Sequence, residues 1–432
     1  MHLDEGVTKY LAGKRSPLGR ERAISRLYHA YVSAVVHFLV PKKGKTVLYV
    51  DKTFRGFEET ASYEYIVMSD ILGYARDVEE FLRSARGALV PNGRIVITQY
   101  SSLWEPILRL ASMLRLRAPS EEQNWLSPHD LRNFLYLAGF EAIREGNKML
   151  LPVYVPLLST FCNTILANIW PFSRLGLIHY VVARPVPSSG ADAPSLSIIV
   201  PARNESGTIE RIVNELPELG AFTEIIFIEG HSRDNTLAEI ERVAKQYKGT
   251  KRIQYAVQDG TGKGDAVRKG FDMATGDILA IYDADMTVPP QDMEKFYRAI
   301  ASKQGDFING SRLVYPVEKG AMRILNFFGN KFFSLAFTAI LGQSLKDTLC
   351  GTKVLSKKDY ERIRENRAFF GDFDPFGDFD LLFGAAKLNL KITEVPVRYK
   401  ERVYGETNIS RWKHGWLLLK MTVFAARKLK FW

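Results

Sequence analysis

Two acidic residues at the end of a short apolar run are the residues whose types and spacing most directly suggest chemistry. Asp283 and Asp285 follow the run Ile278–Ile281, and such a run, bounded by Gly276 and the acids, predicts a buried parallel strand. Ligands of open α/β sheets bind beyond the carboxyl ends of the strands. Carboxylates one residue apart at that edge can both reach one hard divalent cation, which also binds diphosphate oxygens. The pair predicts a Mg²⁺ or Mn²⁺ site, while a plain strand with an acidic turn would show the same pattern.

The elements that must position this pair lie directly upstream. From Leu196 onward, apolar strand-like runs alternate with helical patterns, at 196–200, 224–229 and 252–257 for strands and from 206, at 234–247 and at 263–274 for helices. This alternation predicts a parallel, doubly wound sheet. In the glycine-rich turn before the last helix, Lys263 presents a point charge suited to a diphosphate, and the glycines allow the backbone to approach it closely.

Composition limits the partners. A chain of 432 residues is expected to hold two domains, and a net charge of +11 requires an anionic partner such as nucleic acid, anionic lipid or a phosphorylated substrate. The basic residues cluster beside apolar helices rather than among exposed stacking aromatics, which disfavours nucleic acid. The two cysteines, Cys162 and Cys350, have no C-x-x-C spacing, so neither a disulfide framework nor a thiolate zinc site is indicated. The charged first residues lack the apolar core of a signal peptide, and we expect a protein that is not secreted.

A Pro-, Ser-, Gly- and Ala-rich stretch at 185–195 reads as an interdomain linker. We therefore predict a first domain at 1–185, a linker at 186–195 and a second domain at 196–432.

The first half is predicted to contain a helix at 21–40, strands at 45–51 and 63–70, a helix at 77–88, and a strand at 93–100 after a turn at 91–93. The motifs YEYIVMSDIL, LVPNGRIVITQY, SPHDLRNFLYLAGF and HYVVARP resemble the later half of a class I methyltransferase domain. The glycine-rich turn after the first strand and the intervening strands are missing. The resemblance therefore implies a truncated Rossmann-like domain without an S-adenosylmethionine site, acting as a scaffold or a membrane-docking module. The uncharged segment 149–172 contains three prolines, which favours an interfacial or buried insertion over a spanning helix.

An ordered set of motifs carries the second resemblance: IIVPARNE, EGHSRDNT, GTGKGDAVRKGF, DADMTVPP, NGSR, KDTLCGTK and RVYGETNISR. In this order, the region from Leu196 to about Trp412 resembles a family 2 glycosyltransferase of the GT-A fold. It is most similar to the branch of dolichol-phosphate mannosyltransferases and polyprenyl-phosphate sugar transferases. The predicted fold class is thus α/β, with a GT-A domain after the truncated Rossmann-like domain.

The resemblance implies roles for the donor-side residues. Pro201, Arg203 and Glu205 would line the nucleotide base and ribose, and Glu229 stands where the family usually has an aspartate that touches them. Lys263, Asp283 and Asp285 would hold the diphosphate and its metal, which as a Lewis acid neutralises charge on the leaving group. The donor is expected to be a UDP- or GDP-hexose.

The resemblance also implies an acceptor site and candidate catalytic residues. The acceptor phosphate would be bound by Arg312, Arg323, Arg402, Ser410 and Arg411, since guanidinium groups match a phosphate well. Asp347 matches a position credited in related enzymes with base or sugar-positioning duty, and Asp380 is a second candidate beside the metal-binding Asp285. A phosphate monoester is largely a dianion at neutral pH, so it can attack the anomeric carbon without a strong base. The reaction would be a single displacement with inversion.

Two amphipathic stretches, at about 320–342 and 412–432, are expected to lie along a membrane surface or to pack into the protein core. The leading hypothesis is a metal-dependent enzyme that transfers a hexose of mannose or glucose type to a polyprenyl or dolichyl phosphate at the cytoplasmic membrane face. A family 2 enzyme with a glycan, protein or other lipid acceptor, and a non-catalytic two-domain adaptor, remain alternatives.

Overall fold

The computed structural model describes residues 19–41, 46–50, 57, 62–114, 124–187, 193–314, 324–369, 379–400, 404 and 411–431. The chain forms two compact units: residues 1–187 with 431–432, and residues 188–430.

The first unit is an α/β domain with the helices and strands expected from its apolar patterns. Its strands are β1 (Val47–Val50), β2 (Tyr63–Ser69), β3 (Leu89–Tyr100), β4 (Phe140–Lys148) and β5 (Ile178–Pro185). Its helices are α1 (Gly19–Leu39), α2 (Val78–Gly87), α3 (Glu105–Met113) and α4 (Pro128–Leu137). Helix α4 begins at Pro128, because Ser127 and Asp130 form a capping box and proline is well tolerated in the first helical turn.

The five strands of this unit form one mixed sheet in the order β1-β2-β3-β5-β4. The first three run parallel, whereas β5 runs antiparallel to both of its neighbours. The turn predicted at 91–93 is wrong: these residues lie inside β3, where the pairing with β2 skips from Leu89 to Arg94. The Pro-Asn-Gly signal therefore marks an irregularity in a strand rather than its beginning.

The second unit carries the longer sheet. Its strands are β6 (Leu196–Ala202), β7 (Thr223–Glu229), β8 (Arg252–Val257), β9 (Ile278–Ile281), β10 (Phe307–Ser311), β11 (Lys353–Ser356) and β12 (Ile392–Pro396). Its helices are α5 (Ile209–Glu215), α6 (Thr236–Gln246), α7 (Lys263–Met273), α8 (Met293–Ala301), α9 (Ile324–Leu341), α10 (Lys357–Glu365), α11 (Phe379–Lys387) and α12 (Arg411–Leu429). Helix α5 begins at Ile209 and not at Ser206, because residues 206–208 form a turn.

The seven strands are ordered β12-β10-β11-β9-β6-β7-β8. The parallel arrangement predicted for β6, β7, β8 and β9 is confirmed, whereas β11, which was not predicted, runs antiparallel to both β10 and β9. An antiparallel strand next to β9 begins at the edge where β9 ends. The loop at 342–352, which precedes β11, therefore lies at the same edge as Asp283 and Asp285.

Close packing holds the sheet of this unit against α7. The strands β6, β7 and β9 are almost wholly buried, as strands covered on both faces are. A Cβ on Gly270 would lie 2.5 Å from the Ile199 side chain, so only glycine lets α7 approach β6 this closely. This contact fixes the helix whose first residue is Lys263.

Helices α9 and α12 pack against each other and each leaves an apolar face exposed. On α9, Phe337 and Leu341 are buried while Phe332 and Leu335 are exposed. On α12, Met421 is buried while Trp416 and Val423 are exposed. Among the residues described here, no helix combines the length and apolar character needed to cross a bilayer.

Candidate active site

The predicted acid pair lies at the carboxyl end of β9, next to the first turn of α7. Lys263 donates from Nζ to Oδ1 of Asp283 at 2.5 Å. Burial raises the pKa of the Asp283 carboxyl, but the charge of Lys263 and its hydrogen bond outweigh this, so that the pKa is lowered overall. Asp283 is therefore held ionised next to a cation, as a ligand for phosphate-bound metal must be.

Asp285 is oriented by its own turn. Its Oδ1 accepts hydrogen bonds from the backbone N–H of Thr287 at 3.1 Å and from the Thr287 hydroxyl at 2.8 Å. Burial raises the pKa of Tyr399, the charge of Arg312 lowers it, and the charges of Asp285 and Asp283 raise it further. The two hydrogen bonds from Thr287 hold Asp285 in the turn that follows β9, two residues after Asp283.

The backbone of Gly351 approaches Asp283 so closely that a side chain at this position would clash with the carboxylate. A Cβ at this position would lie 2.0 Å from Oδ2 of Asp283 and 2.6 Å from Nζ of Lys263. The sequence pointed to the surrounding KDTLCGTK motif but not to this residue, whose importance arises from the fold of the loop before β11.

The donor atoms at this edge fit a hard divalent cation. Two carboxylates are oxygen ligands of the kind that Mg²⁺ and Mn²⁺ take. Among the described residues, no three His, Cys, Asp or Glu side chains come together as a metal-binding group. Asp283 and Asp285 are the residues that would hold such an ion, and Mg²⁺ in proteins commonly takes further ligands from water and substrate phosphates.

Arg312 and Asp347 form a buried bidentate ion pair beside the acids. Arg312 donates from Nε to Oδ2 of Asp347 at 2.7 Å and from Nη2 to Oδ1 at 2.8 Å, and the backbone N–H of Arg312 donates to Oδ2 at 2.9 Å. Asp347 is fully buried. Burial raises the pKa of the Asp347 carboxyl, but Arg312 lowers it by more. Arg312 also lies over the ring of Tyr399, with its guanidinium carbon 5.1 Å from the ring centre.

The contacts of Asp347 and Asp380 bear on their prediction as catalytic bases. Both oxygens of Asp347 are engaged by Arg312, so the described arrangement suits the positioning of Arg312 better than the uptake of a proton. Asp380 lies on the first turn of α11, with Oδ2 3.4 Å from Nε of Arg367. The assignment of either residue as a base stays a prediction.

The donor-side motifs interlock at the ends of β6 and β7. The backbone N–H of Asn204 donates to the Ser232 hydroxyl at 3.0 Å, and Oδ1 of Asn204 accepts from the N–H of Arg233 at 2.8 Å. The N–H of Glu205 donates to the Thr236 hydroxyl at 2.9 Å. The motifs IIVPARNE and EGHSRDNT thereby form one double-loop wall, a contact that neither motif predicts by itself.

The predicted base- and ribose-binding residues are placed along this wall. Pro201 is the second-to-last residue of the strand β6, Arg203 is exposed just beyond the strand, and Glu205 is buried. Glu229 is buried and accepts the backbone N–H groups of His231 at 3.1 Å and Ser232 at 2.6 Å. Glu229 therefore shapes its own loop in this structure, and a direct contact with the nucleotide stays a prediction.

Tyr404 links the last predicted motif to the same wall. Its hydroxyl lies 3.1 Å from the Ser206 hydroxyl, and a Cβ on Gly207 would lie 2.6 Å from the ring. Of the predicted acceptor residues, Arg312 is described above and Arg411 is the first residue of α12. Arg323, Arg402 and Ser410 lie outside the described residues.

The corresponding edge of the first unit is filled by its own side chains. Tyr28 of α1 donates to Oδ1 of Asp70 at 2.7 Å, and its ring stacks on Tyr100 with centres 4.5 Å apart. Asp70 and Tyr100 follow or end the parallel strands β2 and β3, which is the edge where a Rossmann-like domain binds its cofactor. A buried ring at that edge does not fit an adenosyl cofactor. The lack of S-adenosylmethionine binding remains a prediction.

Family models identify both halves of the chain. Residues 197–364 match the model "Glycosyl transferase family 2", and residues 22–145 match the model "Methyltransferase domain". The chain therefore carries a family 2 glycosyltransferase domain after a methyltransferase-like domain, and the sheets of both units are of the α/β class.

Particular relatives are glycosyltransferases. Over 239 residues the chain is 26% identical to Glycosyltransferase AglD of Haloferax volcanii, a match that covers 52% of this chain and 36% of AglD. Over 109 residues it is 32% identical to Dolichol-phosphate mannosyltransferase of Saccharomyces cerevisiae, covering 24% of this chain and 40% of that protein. The chain thus spans less than half of the length of each of these two relatives.

A solved structure with a partial likeness is glucosyl-3-phosphoglycerate synthase from Mycobacterium tuberculosis, in complex with Mn²⁺, uridine diphosphate and glucosyl-3-phosphoglycerate. The likeness has a TM-score of 0.39 at 17% identity, and covers 55% of this chain and 80% of that chain.

Proposed function

We propose that the second unit transfers a hexose, of mannose or glucose type, from a nucleotide diphosphate sugar to a polyprenyl or dolichyl phosphate. The transfer would take place at the cytoplasmic face of a membrane, with the protein bound peripherally. The observation that carries the proposal is that Asp283 and Asp285 follow β9 at the carboxyl edge of the sheet, where Lys263 forms an ion pair with Asp283. Arg312 directly follows β10 of the same sheet.

The donor would lie across the carboxyl edge of the sheet. The nucleotide would rest on the double-loop wall that contains Pro201, Arg203 and Glu205, with its diphosphate directed toward Lys263. When Asp283 and Asp285 hold a divalent ion, the ion supplies positive charge close to that diphosphate. Lys263 bonds Asp283 in the structure without donor, and its three donor hydrogens would allow it to serve carboxylate and phosphate together.

The acceptor phosphate would approach from the side of Arg312. Asp347 and Tyr399 hold this guanidinium in a fixed plane, which lowers the entropy lost when a phosphate is oriented. Because a phosphate monoester is largely dianionic at neutral pH, its oxygen can attack the anomeric carbon without full deprotonation by the protein. Asp347 is then a positioning residue that orients Arg312. Attack from the face opposite the nucleotide would invert the configuration of the anomeric carbon.

A lipid acceptor agrees with the surfaces of α9 and α12. Both helices carry exposed apolar side chains, and α12 adds Lys420, Arg427 and Lys428. Such helices bind membrane interfaces through apolar burial and attraction to anionic lipid. The name of the yeast relative, a dolichol-phosphate mannosyltransferase, supports the same class of acceptor.

The proposal is tested by incubating the full chain with Mn²⁺, a polyprenyl phosphate in detergent and a panel of radiolabelled UDP- and GDP-hexoses. We expect label in the organic phase with one donor. The label should be stable to alkaline phosphatase, since its phosphate is then a diester. If every donor left label only in water-soluble glycan or in protein, the acceptor would belong to another class. A chain that hydrolysed no donor and labelled no product would be an adaptor.

A further inference from the structure

A segment of the first unit exposes an unusually apolar surface. Residues 151–175 contain one charged side chain, Arg174. Residues 158–168 form one continuous helical stretch, and Phe172–Arg174 forms a further turn. Leu166–Asn168 and Phe172–Arg174 contact β4. Neither the stretch nor the turn is long enough to cross a bilayer, since a spanning helix needs about 20 residues.

Two polar side chains of this segment, Asn163 and Ser159, and the neighbouring Lys148 are hydrogen-bonded away from solvent, whereas Thr160 and Arg174 are exposed. Asn163 accepts the backbone N–H of Leu151 at 2.8 Å and donates to its carbonyl at 2.9 Å. The Ser159 hydroxyl accepts the N–H of Val155 at 2.6 Å, and Lys148 donates to Oδ1 of Asn168 at 2.7 Å. Asn163, Ser159 and Lys148 are all buried. If an apolar medium covered the outer face of the segment, these three side chains would keep their hydrogen bonds. The usual free-energy cost of removing polar groups from water would then be avoided for them.

The outward side chains are large and apolar. Leu157 is 88% exposed and Trp170 is 71% exposed, whereas soluble monomers seldom expose large contiguous apolar patches. We call the following set the insertion surface: Tyr154, Leu157, Leu158, Phe161, Trp170 and Leu175.

Helix α3 extends the insertion surface. The Trp104 indole N–H donates to the carbonyl of Leu175 at 2.7 Å, which fixes the start of α3 beside the segment. On α3 the exposed Ile107, Leu110 and Met113 recur every three residues, and residues at this spacing share one side of a helix. The exposed Arg109 on this helix is paired with Glu105 at 2.6 Å.

We propose that the insertion surface docks the first unit onto a lipid bilayer, lying in the interface without crossing it. Its charge argues for lipid: residues 151–175 hold no acid, their one charge is the exposed Arg174, and the whole chain carries +11. Tyr154 and Trp170 are amphipathic aromatics of the kind enriched at the level of lipid headgroups. This docking goes beyond the proposed transferase reaction and would hold for any acceptor.

The test is flotation of the full chain with vesicles of phosphatidylcholine containing a minority of phosphatidylglycerol. The vesicles contain neither polyprenyl phosphate nor nucleotide sugar, so the outcome is independent of the proposed transfer. The variant Leu157→Asp/Trp170→Asp places two carboxylates on the insertion surface at exposed positions. The matched control is Tyr136→Asp, which changes an equally exposed aromatic on α4, outside this surface. Circular dichroism melting checks that each variant folds.

We expect the double variant to bind vesicles at least about tenfold more weakly than wild type, because charges are costly to bury at membrane depth. Tyr136→Asp should bind like wild type. Equal binding of the double variant and the control would overturn the proposal.

A second measurement reports insertion directly. Lipids with brominated acyl chains should quench the tryptophan fluorescence of wild type, and Trp170→Phe should remove a measurable part of that quenching. Unchanged quenching in Trp170→Phe would contradict the proposal. So would a wild-type chain that ignores vesicles but self-associates through these residues in analytical ultracentrifugation, since the surface would then bind another protein copy.

Discussion

Lys263, Asp283 and Gly351 form the tightest group of contacts in the candidate active site. The lysine Nζ and the carboxylate Oδ1 are 2.5 Å apart, and the glycine lies against both. Lys263 and Asp283 place a positive and a negative group where a diphosphate and its cation would bind. A substitution that shifts either side chain should therefore change the rate of transfer.

Gly351→Ala should impair transfer without unfolding the domain. Its Cβ would need the space 2.0 Å from Oδ2 of Asp283, so the carboxylate or the lysine must shift. A displacement of about 1 Å at a reacting centre can cost on the order of 100-fold in rate. We expect a loss of that size in kcat/KM, measured by label transfer to the organic phase. Gly329→Ala is the control, because nothing lies within 4 Å of its added Cβ. A Gly351→Ala enzyme as active as the control would contradict this packing.

Asp347→Asn separates the positioning role of Asp347 from a role as base. The substitution leaves the buried guanidinium of Arg312 without its anion, and breaking a buried ion pair costs about 3–5 kcal/mol. We expect a clear loss of unfolding free energy in urea denaturation, together with lost activity. The control is Asp272→Asn, which removes the partner of Arg364 from an exposed pair 3.2 Å apart and should change stability little. An Asp347→Asn chain of wild-type stability but without activity would instead identify a reacting carboxylate.

His179 in the first unit should make stability depend on pH. Burial lowers the pKa of His179 to about 4 in the folded chain, against about 6.5 when unfolded. Between pH 6.5 and pH 4, His179 binds a proton in the unfolded chain but not in the folded chain. The free energy of unfolding therefore falls as the pH is lowered through this range, by at most about 3 kcal/mol. Urea denaturation of wild type and His179→Gln over this range should show a stability difference that changes with pH in this direction. A pH-independent difference would rule out a neutral buried imidazole.

At the scale of elements, α9 shows how the polar stripe of an amphipathic helix can face inward. Thr338 accepts the N–H of Leu345 at 3.0 Å and donates to its carbonyl at 3.1 Å, and Ser334 donates to the same carbonyl at 2.7 Å. These bonds anchor the loop at 342–352 that delivers Asp347 and Gly351. They also leave apolar residues such as Phe332 and Leu335 on the outside.

Thr338→Val should weaken this anchor. Valine matches the shape of threonine but removes the hydroxyl, so the Leu345 N–H loses its acceptor at a cost of about 1–3 kcal/mol. We expect lower unfolding free energy by urea denaturation, while Thr338→Ser, which keeps the hydroxyl, should stay near wild type. If Thr338→Val and Thr338→Ser were equally stable, the polar stripe would contribute little to holding the loop.

The sequence predicted the strands well where an uninterrupted apolar run marks a buried strand, as in β6, β7 and β9. It failed where the information lies in tertiary packing. The short β11 begins with the buried Lys353 and carries no alternation that reveals its antiparallel direction. The candidate active site was also predicted only in part. The acid pair could be predicted from its spacing. The contacts that involve Gly351, Tyr399 and the Arg312–Asp347 ion pair could not, because they depend on the course of the loop at 342–352, which no local sequence pattern specifies.

The chain contains two Rossmann-like units that differ at the carboxyl edges of their sheets. In the first unit, Tyr28 fills the carboxyl edge of the sheet between Asp70 and Tyr100. In the second unit, that edge presents charged groups from several loops. We therefore expect catalysis to reside in the second unit and membrane docking to be shared by both, through the insertion surface in one and α9 and α12 in the other.

Asp283 and Asp285 are expected to bind one divalent cation together during sugar transfer. The most direct test of this expectation is the rate of hexose transfer to polyprenyl phosphate across a Mn²⁺ titration, for wild type and Asp285→Asn, with Asp259→Asn as a control at an exposed acid paired with Lys269. We predict that wild type and the control transfer label only when Mn²⁺ is present, and that Asp285→Asn transfers none at any Mn²⁺ concentration. Full transfer by Asp285→Asn, or wild-type transfer that persists in excess chelator, would contradict the account.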